Sequence, residues 1–315
     1  MEQKDIIWGM IGCGDVTEVK NGPGLYLCQH SRLKGVTNRT LSKAQDWVRR
    51  HGHGQVYDSA ASLLADPEID IVYVATTPDT HLKYALACAE AGKHCLLEKP
   101  VAATYEEGIR IRDAFQQAGK RCYVAFYRRQ MRRFQTLHDL ITSERIGEVM
   151  GAQLLHCTKA VTDPEAWRAN PSICGGDLFT ETDIHALDIL VWIMGAVQDW
   201  KAVKSEDGYG LLVQFAGGKL ASGFWNYRSS ENVDRFEIFG TKGHIAFSVF
   251  DNTQPLCVWD NKQGYEEILV EDSPHVGMRM EQAIVDELRG TGCFSATIQE
   301  ALRSLEIAAG AYYGK

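Results

Sequence analysis

The stretch IIWGMIGCGDVT, residues 6–17, decides the fold of this chain. A short apolar run ends at Gly12, as a buried parallel strand does before a tight turn. In the pattern G-x-G-x-x-G, the first glycine forms the turn and the second lets the backbone approach a pyrophosphate where a helix begins. Gly12 and Gly14 occupy these two positions, and Thr17 replaces the third glycine. The residues predicted to contact a dinucleotide here are Gly12, Gly14, Asp15 and Val16.

Strand-like and helix-like segments alternate over the first 125 residues. Apolar runs predict strands at 6–11, 33–38, 69–75, 94–97 and 121–126. Helical spacing predicts helices at 42–51, with Ser42 as the cap, and at 81–91 and 105–118. Alternation with short connections predicts a doubly wound parallel sheet, the Rossmann architecture, with helices on both faces.

The pattern changes after about residue 145, where strands follow one another closely. They are expected at 149–158, 200–203, 210–215, 219–227, 233–239 and 244–249, with helices near 182–194, 279–289 and 298–312. Consecutive strands with few helices predict an α+β domain with a large, mainly antiparallel sheet. We expect residues 1–123 to form the dinucleotide-binding domain and residues 124–315 to form a second domain that binds the substrate.

Composition excludes several classes of protein. The chain has 33 basic and 41 acidic residues, a formal charge of −8, which disfavours nucleic acid and anionic membranes as partners. Its nine cysteines are widely spaced without a C-x-x-C pair, which indicates reduced thiols and a cytoplasmic location. The N-terminus lacks a signal-peptide pattern, and no apolar run is long enough to predict a membrane span.

The end of the second predicted strand distinguishes the two nicotinamide dinucleotides. An acidic residue there would bind the adenosine ribose of NAD. This chain instead has Asn38 and Arg39, and a guanidinium favours the 2′-phosphate of NADP. We therefore expect NADP to be preferred and NAD to be the alternative. Arg39 as an ordinary solvated turn residue remains open.

Two motifs carry a family resemblance. They are ATTPDTH at residues 75–81 and AGKHCLLEKP at residues 91–100, and weaker matches are the glycine pair 175–176 leading to His185 and IFGTKG at 238–243. Together they resemble the Gfo/Idh/MocA oxidoreductases over nearly the whole chain. The motif residues that we expect at the cofactor site are Thr76, Thr77, Pro78, His81, Glu98 and Lys99.

The resemblance implies a function and an assembly. Members of this family transfer a hydride between a nicotinamide and a secondary alcohol or ketone of a sugar, polyol or dihydrodiol. Their second domain has an open-faced sheet that often forms dimers or tetramers. We therefore expect a small-molecule substrate and a homodimer or homotetramer.

Lys99 and His185 are the candidate acid–base residues. By resemblance Lys99 is catalytic, and an ammonium can supply a proton and stabilise developing alkoxide charge. Without the motif, Lys99 would be interpreted as a surface lysine after a strand. His185 matches the family's histidine, and its ordinary pKa suits proton transfer near neutrality. The alternative is a buried histidine of the core.

Two residues near His185 depart from the family pattern. Glu181 stands where the family usually has aspartate, and Asp183 stands where it has glycine. In a continuous helix Glu181 and His185 would share a face, so that the carboxylate could contact substrate or tune the imidazole. Asp183 would add charge that selects a hydroxylated or cationic substrate. A metal site of Glu181, His185 and Asp188 is disfavoured because no second histidine accompanies them.

The predicted substrate contacts lie in two further segments. By resemblance, Tyr127 and Arg128 of the basic run 125–134 contact the substrate, while Arg132 and Arg133 are expected to be a solvated helix start. In the segment before the glycine pair, Trp167 would cover the C–H face of a sugar or pack at the sheet edge. Arg168 is included with it as a substrate contact. Trp225 is expected to be structural.

Two other functions remain open. A redox-assisted glycosidase would hold its cofactor tightly and would need an extra acid–base group, for which Glu181, Asp183 or Tyr127 could serve. A catalytically idle NADP-binding sensor would not need Lys99 and His185, so their presence argues against it.

Overall fold

The computed structural model describes residues 4–160, 167 and 170–314, which form two units. The first unit is built from the described residues up to Gln130, with Ser172–Gly175 and Ser273–Leu302. The described parts of the remaining chain form the second unit. The division therefore differs from the expected boundary after residue 123, because a segment near the C-terminus returns to the first unit.

Two backbone contacts bind this returning segment to the first unit. The Val124 N–H donates to the Ala296 carbonyl oxygen at 2.8 Å, and Tyr123 forms an antiparallel bridge with Thr297. These contacts cover the edge strand of the first sheet. An edge strand that would otherwise present unpaired backbone groups is thereby partly satisfied.

The first unit contains a parallel sheet of six strands. These are β1 (Ile6–Ile11), β2 (Ser31–Thr37), β3 (Gln55–Val56), β4 (Ile71–Val74), β5 (His94–Leu97) and β6 (Cys122–Val124). Their order is β3-β2-β1-β4-β5-β6, with every neighbouring pair parallel. The predicted Rossmann architecture is confirmed. Because the strand order reverses between β1 and β4, the loops after these two strands border the crevice where such sheets bind ligands.

The second unit contains a mainly antiparallel sheet of eight strands, as predicted. These are β7 (Val149–Cys157), β8 (Val197–Lys204), β9 (Gly208–Phe215), β10 (Leu220–Asn226), β11 (Val233–Gly240), β12 (Gly243–Phe247), β13 (Leu256–Asp260) and β14 (Gly264–Ile268). Their order is β14-β13-β12-β11-β7-β10-β9-β8, and only β7 and β10 are parallel neighbours. The sequence pattern did not predict β13 and β14, which extend one edge of the sheet.

The two faces of this eight-stranded sheet differ. Trp225, Phe236 and Leu211 point to a buried face. The strand register places other apolar side chains on the opposite face, where each is between 39% and 74% exposed: Val203, Leu212, Leu220, Phe224 and Phe239. The chain therefore presents an apolar sheet surface, which we call the open face.

The described part of the chain contains eleven α-helices, which connect and cover the strands. They are α1 (Gly24–Leu27), α2 (Leu41–His51), α3 (Ala60–Leu64), α4 (His81–Glu90), α5 (Tyr105–Ala118), α6 (Arg132–Thr142), α7 (Pro171–Cys174), α8 (Leu178–Glu181), α9 (Ile184–Met194), α10 (Met278–Leu288) and α11 (Ile298–Tyr313). No helix in the described part of the chain is long and apolar enough to cross a membrane.

Three helix predictions were wrong in detail. The N-cap of α2 is Thr40 rather than Ser42. The glycine turn after β1 opens only a three-residue 3-10 helix, Asp15–Thr17, because Gly22 and Pro23 follow too closely for a long helix. The helix expected at 182–194 is α9, which begins at Ile184, and the short helix α8 before it was not predicted.

Candidate functional site

The predicted cofactor residues of the first unit lie at one edge of its sheet. They occupy the loops that follow β1, β2, β4 and β5, and the carboxyl ends of parallel strands share one edge. Gly12 and Gly14 follow β1, Asn38 and Arg39 follow β2, and Lys99 follows β5. The structure therefore brings these residues to the edge where open parallel sheets bind ligands.

The glycine turn fits a pyrophosphate. Gly12 has a φ of +103°, and a Cβ there would lie 2.3 Å from the Ala75 carbonyl oxygen, so only glycine fits. A Cβ at Gly14 would meet no atom within 4 Å, which leaves its backbone open to a ligand. Thr17 closes the turn, since its Oγ1 donates to the Gly14 carbonyl oxygen at 2.7 Å. The backbone of the turn, rather than the end of a long helix, thus offers the donors.

The loop after β2 presents one fixed and one exposed polar residue. Asn38 Oδ1 accepts from the Cys13 N–H at 3.2 Å, and Asn38 Nδ2 donates to the Thr40 carbonyl oxygen at 3.0 Å. Asn38 therefore ties the end of β2 to the glycine turn. Arg39 is exposed, and no carboxylate among the described residues forms an ion pair with it. Its guanidinium is available to an anion.

His81 supports the loops after β4 and β5. Its Nε2 lies 3.0 Å from the Thr76 carbonyl oxygen and its Nδ1 lies 2.8 Å from the Pro100 carbonyl oxygen. Burial lowers the pKa of this imidazole. Thr80 Oγ1 donates to Thr76 Oγ1 at 2.8 Å. The predicted cofactor residue His81 is thus buried and engaged by two backbone carbonyls.

The Glu98 carboxylate supports the backbone of Lys99. Glu98 Oε1 accepts from Tyr73 Oη at 2.6 Å and from Asn21 Nδ2 at 2.8 Å, and its Oε2 accepts from the Lys99 N–H at 3.2 Å. Burial raises the pKa of Glu98, while the Tyr73 hydrogen bond and the charge of Lys99 act against this rise. Lys99 itself is half-buried and is followed by a cis bond to Pro100.

The basic run after β6 is more buried than expected. Tyr127 and Arg128 lie in a 3-10 helix, Tyr127–Gln130, and are 8% and 6% exposed. Arg132 is exposed, as predicted. The expectation of a solvated Arg133 was wrong, because this side chain is buried and its Nη1 donates to the Asp251 carbonyl oxygen at 2.7 Å.

In the second unit, Glu181 and His185 lie on two different short helices. Glu181 ends α8, is buried, and its Oε2 accepts from Thr182 Oγ1 at 2.7 Å. His185 lies in the first turn of α9 and is 5% exposed. Thr182 and Asp183 between them keep helical backbone angles, but the regular hydrogen-bond pattern changes there, since the Asp183 N–H donates to the Leu178 carbonyl oxygen at 3.1 Å. Glu181 and His185 therefore do not belong to the single regular helix that the sequence pattern assumed. Their catalytic roles stay predictions.

Asp183 lies at the centre of a buried network. Its Oδ1 lies 2.7 Å from His156 Nδ1, and its Oδ2 accepts from Tyr227 Oη at 2.7 Å. The His156 ring stacks on Phe250 with centroids 4.6 Å apart. Burial lowers the pKa of His156, but the hydrogen bond and charge of Asp183 outweigh burial, so the net shift is upward. The predicted substrate residue Asp183 is thus bonded within its own unit.

The segment around Trp167 is described only in part. Trp167 is half-exposed, and its carbonyl oxygen accepts from the Asn170 N–H at 3.2 Å. Arg168 lies outside the described residues. The nine cysteines all lie within the described ranges, and none forms a disulfide there. Over the same ranges, no group of three His, Cys, Asp or Glu side chains could hold a metal ion.

Comparison with known proteins decides the family. Residues 6–126 match the oxidoreductase family model with an NAD-binding Rossmann fold, and residues 134–246 match the GFO/IDH/MocA C-terminal domain. Oxidoreductase P35 of Formosa agariphila is 31% identical over 309 residues, which cover 94% of this chain and 95% of that protein. The chain belongs to the GFO/IDH/MocA oxidoreductase family. It is thus an enzyme of the oxidoreductase class with an NAD-binding domain.

Other GFO/IDH/MocA proteins extend the comparison. The 1,5-anhydro-D-fructose reductase of Ensifer adhaerens is 25% identical over 248 residues, or 76% of this chain and 74% of that protein. A solved levoglucosan dehydrogenase, in complex with NADH and levoglucosan, superposes with a TM-score of 0.87. It is 21% identical and the match covers 99% of this chain and 97% of that chain, which supports the same fold.

His156 and Tyr227 were missed by sequence reasoning. The signal was Asp183, an acidic residue where GFO/IDH/MocA chains usually carry glycine. A buried carboxylate needs donors or a cation, so a buried Asp183 required partners elsewhere in the chain. The sequence did not show which strands would supply them.

Proposed function

We propose that this enzyme transfers a hydride between a nicotinamide dinucleotide and a secondary alcohol or ketone of a small sugar or polyol. One observation carries the proposal. Lys99 follows the buried strand β5 at the same sheet edge as the open backbone of Gly14, within one unit. The substrate class is supported by the names of relatives that act on 1,5-anhydro-D-fructose and on levoglucosan.

We assign the proton transfer to the Lys99 side chain. In the oxidising direction, its neutral amine accepts the hydroxyl proton while the hydrogen on the same carbon departs as a hydride with its electron pair. In the reducing direction, its ammonium returns a proton to the forming alkoxide. A bound nicotinamide supplies the hydride acceptor or donor. We propose that His185 assists as a second acid–base group and that Glu181 contacts substrate or tunes this histidine.

The contacts within each unit refine the other roles. Since the Glu98 carboxylate and the His81 ring are bonded inside the first unit, we propose that they position the loops rather than contact the cofactor. Asp183 likewise positions the start of α9 through His156. Besides Glu181 and His185, the residues that we propose to contact substrate are Tyr127, Arg128, Trp167 and Arg168.

We further propose that NADP is preferred over NAD. The support is local to the loop after β2, where Arg39 is exposed and no acidic side chain follows the strand. A guanidinium makes charge-assisted hydrogen bonds with phosphate oxygens, whereas NAD offers only hydroxyls at the same place. The glycine turn serves both dinucleotides equally.

We propose a cytoplasmic homo-oligomer that assembles through the open face. Exposed apolar patches of this kind mark interaction surfaces in folded proteins. None of the nine cysteines forms a disulfide within the described ranges, which suits a reducing compartment.

Activity measured on a substrate panel tests the proposed function. Wild type, Lys99→Met and the exposed control Lys83→Met are assayed with anhydrosugars, inositols and dihydrodiols, each with both dinucleotides. Wild type and Lys83→Met should reduce or oxidise the nicotinamide, and Lys99→Met should bind cofactor without turnover. Full turnover by Lys99→Met would refute the proposal. A wild type that binds cofactor but turns over nothing would favour a sensor, and release of a leaving group without net cofactor change would favour the glycosidase.

A further inference from the structure

The first unit contains a second buried carboxyl group near Glu98, that of Glu281. Glu281, on α10, has no exposed surface. Neither of its carboxyl oxygens has a hydrogen-bond partner among the described residues, and no cation there forms an ion pair with it. An ionised carboxylate buried in this way has no cation beside it, and only its own backbone and the start of α10 offset the loss of water. A protonated, neutral carboxyl group at Glu281 would avoid the cost of burying this charge.

Two glycines enclose the Glu281 carboxyl group. A Cβ at Gly24 would lie 2.4 Å from Oε2, and a Cβ at Gly277 would lie 2.8 Å from Oε1. Any side chain at either position would displace the carboxyl group. The pocket is thus formed by backbone that approaches the acid closely on both sides.

A second polar atom, Asn21 Oδ1, lies next to Gly277. A Cβ at Gly277 would lie 2.1 Å from Asn21 Oδ1, and this buried oxygen also has no hydrogen-bond partner among the described residues. The orientation of the Asn21 amide is fixed, because Nδ2 donates to Tyr73 Oη at 3.0 Å and to Glu98 Oε1 at 2.8 Å. A neutral carboxylic acid is a donor, and Asn21 Oδ1 is the acceptor that such a donor needs.

We propose that Glu281 is a neutral carboxylic acid whose O–H donates to Asn21 Oδ1, and that this bond holds Asn21 against Glu98 and so positions the backbone of Lys99. One proton then satisfies two buried polar groups. Glu281 is a positioning residue that acts through Asn21 and Glu98. The role in positioning rests on the proposed catalytic function of Lys99, whereas the protonation of Glu281 does not.

The groups around Glu281 favour its neutral form. Glu98 faces it from the end of β5, Tyr73 from β4 and Cys28 from the end of α1, and none of these is a cation. Burial, followed by the charge of Glu98, raises the pKa of Glu281 far above its ordinary range. Ionisation would place a second negative charge beside Glu98 and leave the Asn21 oxygen facing another acceptor.

The pH dependence of unfolding tests the proton on Glu281. A folded-state pKa above the ordinary value of 4.5 makes folding weaken as pH rises from that value toward the folded-state pKa. The ratio of the unfolding equilibrium constants of wild type and Glu281→Gln should therefore rise by up to about tenfold per pH unit over this interval. Glu300→Gln, which removes an exposed carboxyl group, should follow wild type. A Glu281→Gln slope equal to that of wild type would overturn the proposal.

Infrared spectra and turnover complete the test. The wild-type spectrum should contain a carboxylic C=O band near neutral pH that Glu281→Gln lacks, and the absence of this band would also overturn the proposal. Glu281→Gln keeps a donor for Asn21 and should keep wild-type kcat, whereas Glu281→Met has no donor and should lose roughly ten- to a hundredfold in kcat.

Equal kcat values for the two variants would refute the positioning role. Should Glu281→Met fail to fold, the slope and the band still decide the protonation, and Asn21→Ala replaces it as the variant that breaks the same bond. Full turnover by Lys99→Met defeats only the proposed function, because the slope and the band do not depend on catalysis.

Discussion

Two regions hold their predicted site residues in place in different ways. One is the sheet edge of the first unit that carries Gly12, Gly14 and Lys99, which we call the cofactor edge, and the other is the α8–α9 segment of the second unit. Gly12, Gly14 and Lys99 are placed by short loops that directly follow buried strands. Asp183 is placed by side-chain bonds to His156, in β7, and to Tyr227, which directly follows β10, and both lie far from it in the sequence. Local backbone geometry positions the first set, and a buried charged network positions the second.

Substitutions in the two regions should therefore have different effects, on catalysis in the first and on folding in the second. Gly12, Gly14 and Lys99 lie at the edge where open parallel sheets bind ligands, so replacement of Lys99 should change catalysis or affinity while folding persists. Asp183 is fully buried and bonded, so its replacement should destabilise the unit first and impair turnover as a consequence.

Lys99→Met should have the largest effect. Loss of a general acid–base group lowers kcat by roughly 10²- to 10⁴-fold, and the midpoint of thermal unfolding should match that of Lys83→Met. Steady-state kinetics and differential scanning fluorimetry measure the two quantities. A strong loss of thermal stability in Lys99→Met would show that the cofactor edge is not independent of folding.

Asp183→Ala should lower the free energy of unfolding of the second unit by about 3 kcal/mol, because one partner of a buried pair is removed. Asp207→Ala breaks an exposed pair with Arg228 and should cost less than about 1 kcal/mol. Urea unfolding monitored by tryptophan fluorescence compares the two. Equal losses would mean that the Asp183 network contributes no more than a surface contact.

Arg39→Ala should raise the Michaelis constant for NADP by roughly ten- to a hundredfold, the range expected for a lost charge-assisted hydrogen bond. The constant for NAD should stay unchanged, since NAD has no 2′-phosphate. Initial rates with each dinucleotide at saturating substrate give both values. An unaltered NADP constant would contradict the proposed preference.

His156 should produce a pH effect on stability. Its folded-state pKa is raised above the ordinary value of 6.5, so its contribution is complete below that value and declines as pH rises through the folded-state pKa. Asp183, Asp234 and Tyr227 are the titratable groups that face the pair. His156→Gln should flatten this decline in urea unfolding. A parallel decline in the variant would assign it to another group.

Phe224→Glu should have the smallest effect on folding and the clearest effect on assembly. Its side chain is 52% exposed on the open face, so a charge there interrupts an apolar interface without disturbing the core. Light scattering after size exclusion should show a smaller species than for wild type or Lys83→Glu. An unchanged mass would exclude this face as the main interface.

Local signals made the first unit predictable. Short apolar runs placed β1, β2, β4 and β5 within a few residues, because each strand is short and largely buried. The helix after the glycine turn was predicted wrongly. There, Gly22 and Pro23 follow Thr17 too soon for a helix to continue. The glycine pattern predicted the sheet edge at which a ligand would bind, but the turn is followed by only a three-residue 3-10 helix.

Long-range contacts explain what the sequence could not show. The partners of Asp183 depend on which strands border α9, and no spacing in the sequence encodes that neighbourhood. The same holds for Glu281, which meets Asn21 only because α10 returns to the first unit. Pairings between distant segments are decided by packing, and a single sequence gives no measure of them.

The returning segment also has a consequence for biosynthesis. The first unit needs Ser273–Leu302 for its last strand edge and for the helix that carries Glu281. At about 5–20 residues per second, a ribosome delivers this segment roughly 10–30 s after it has passed Gln130. During that interval the edge strand β6 of the nascent first unit remains uncovered. We therefore expect the yield of active enzyme to depend on translation speed and on chaperones that bind the nascent chain.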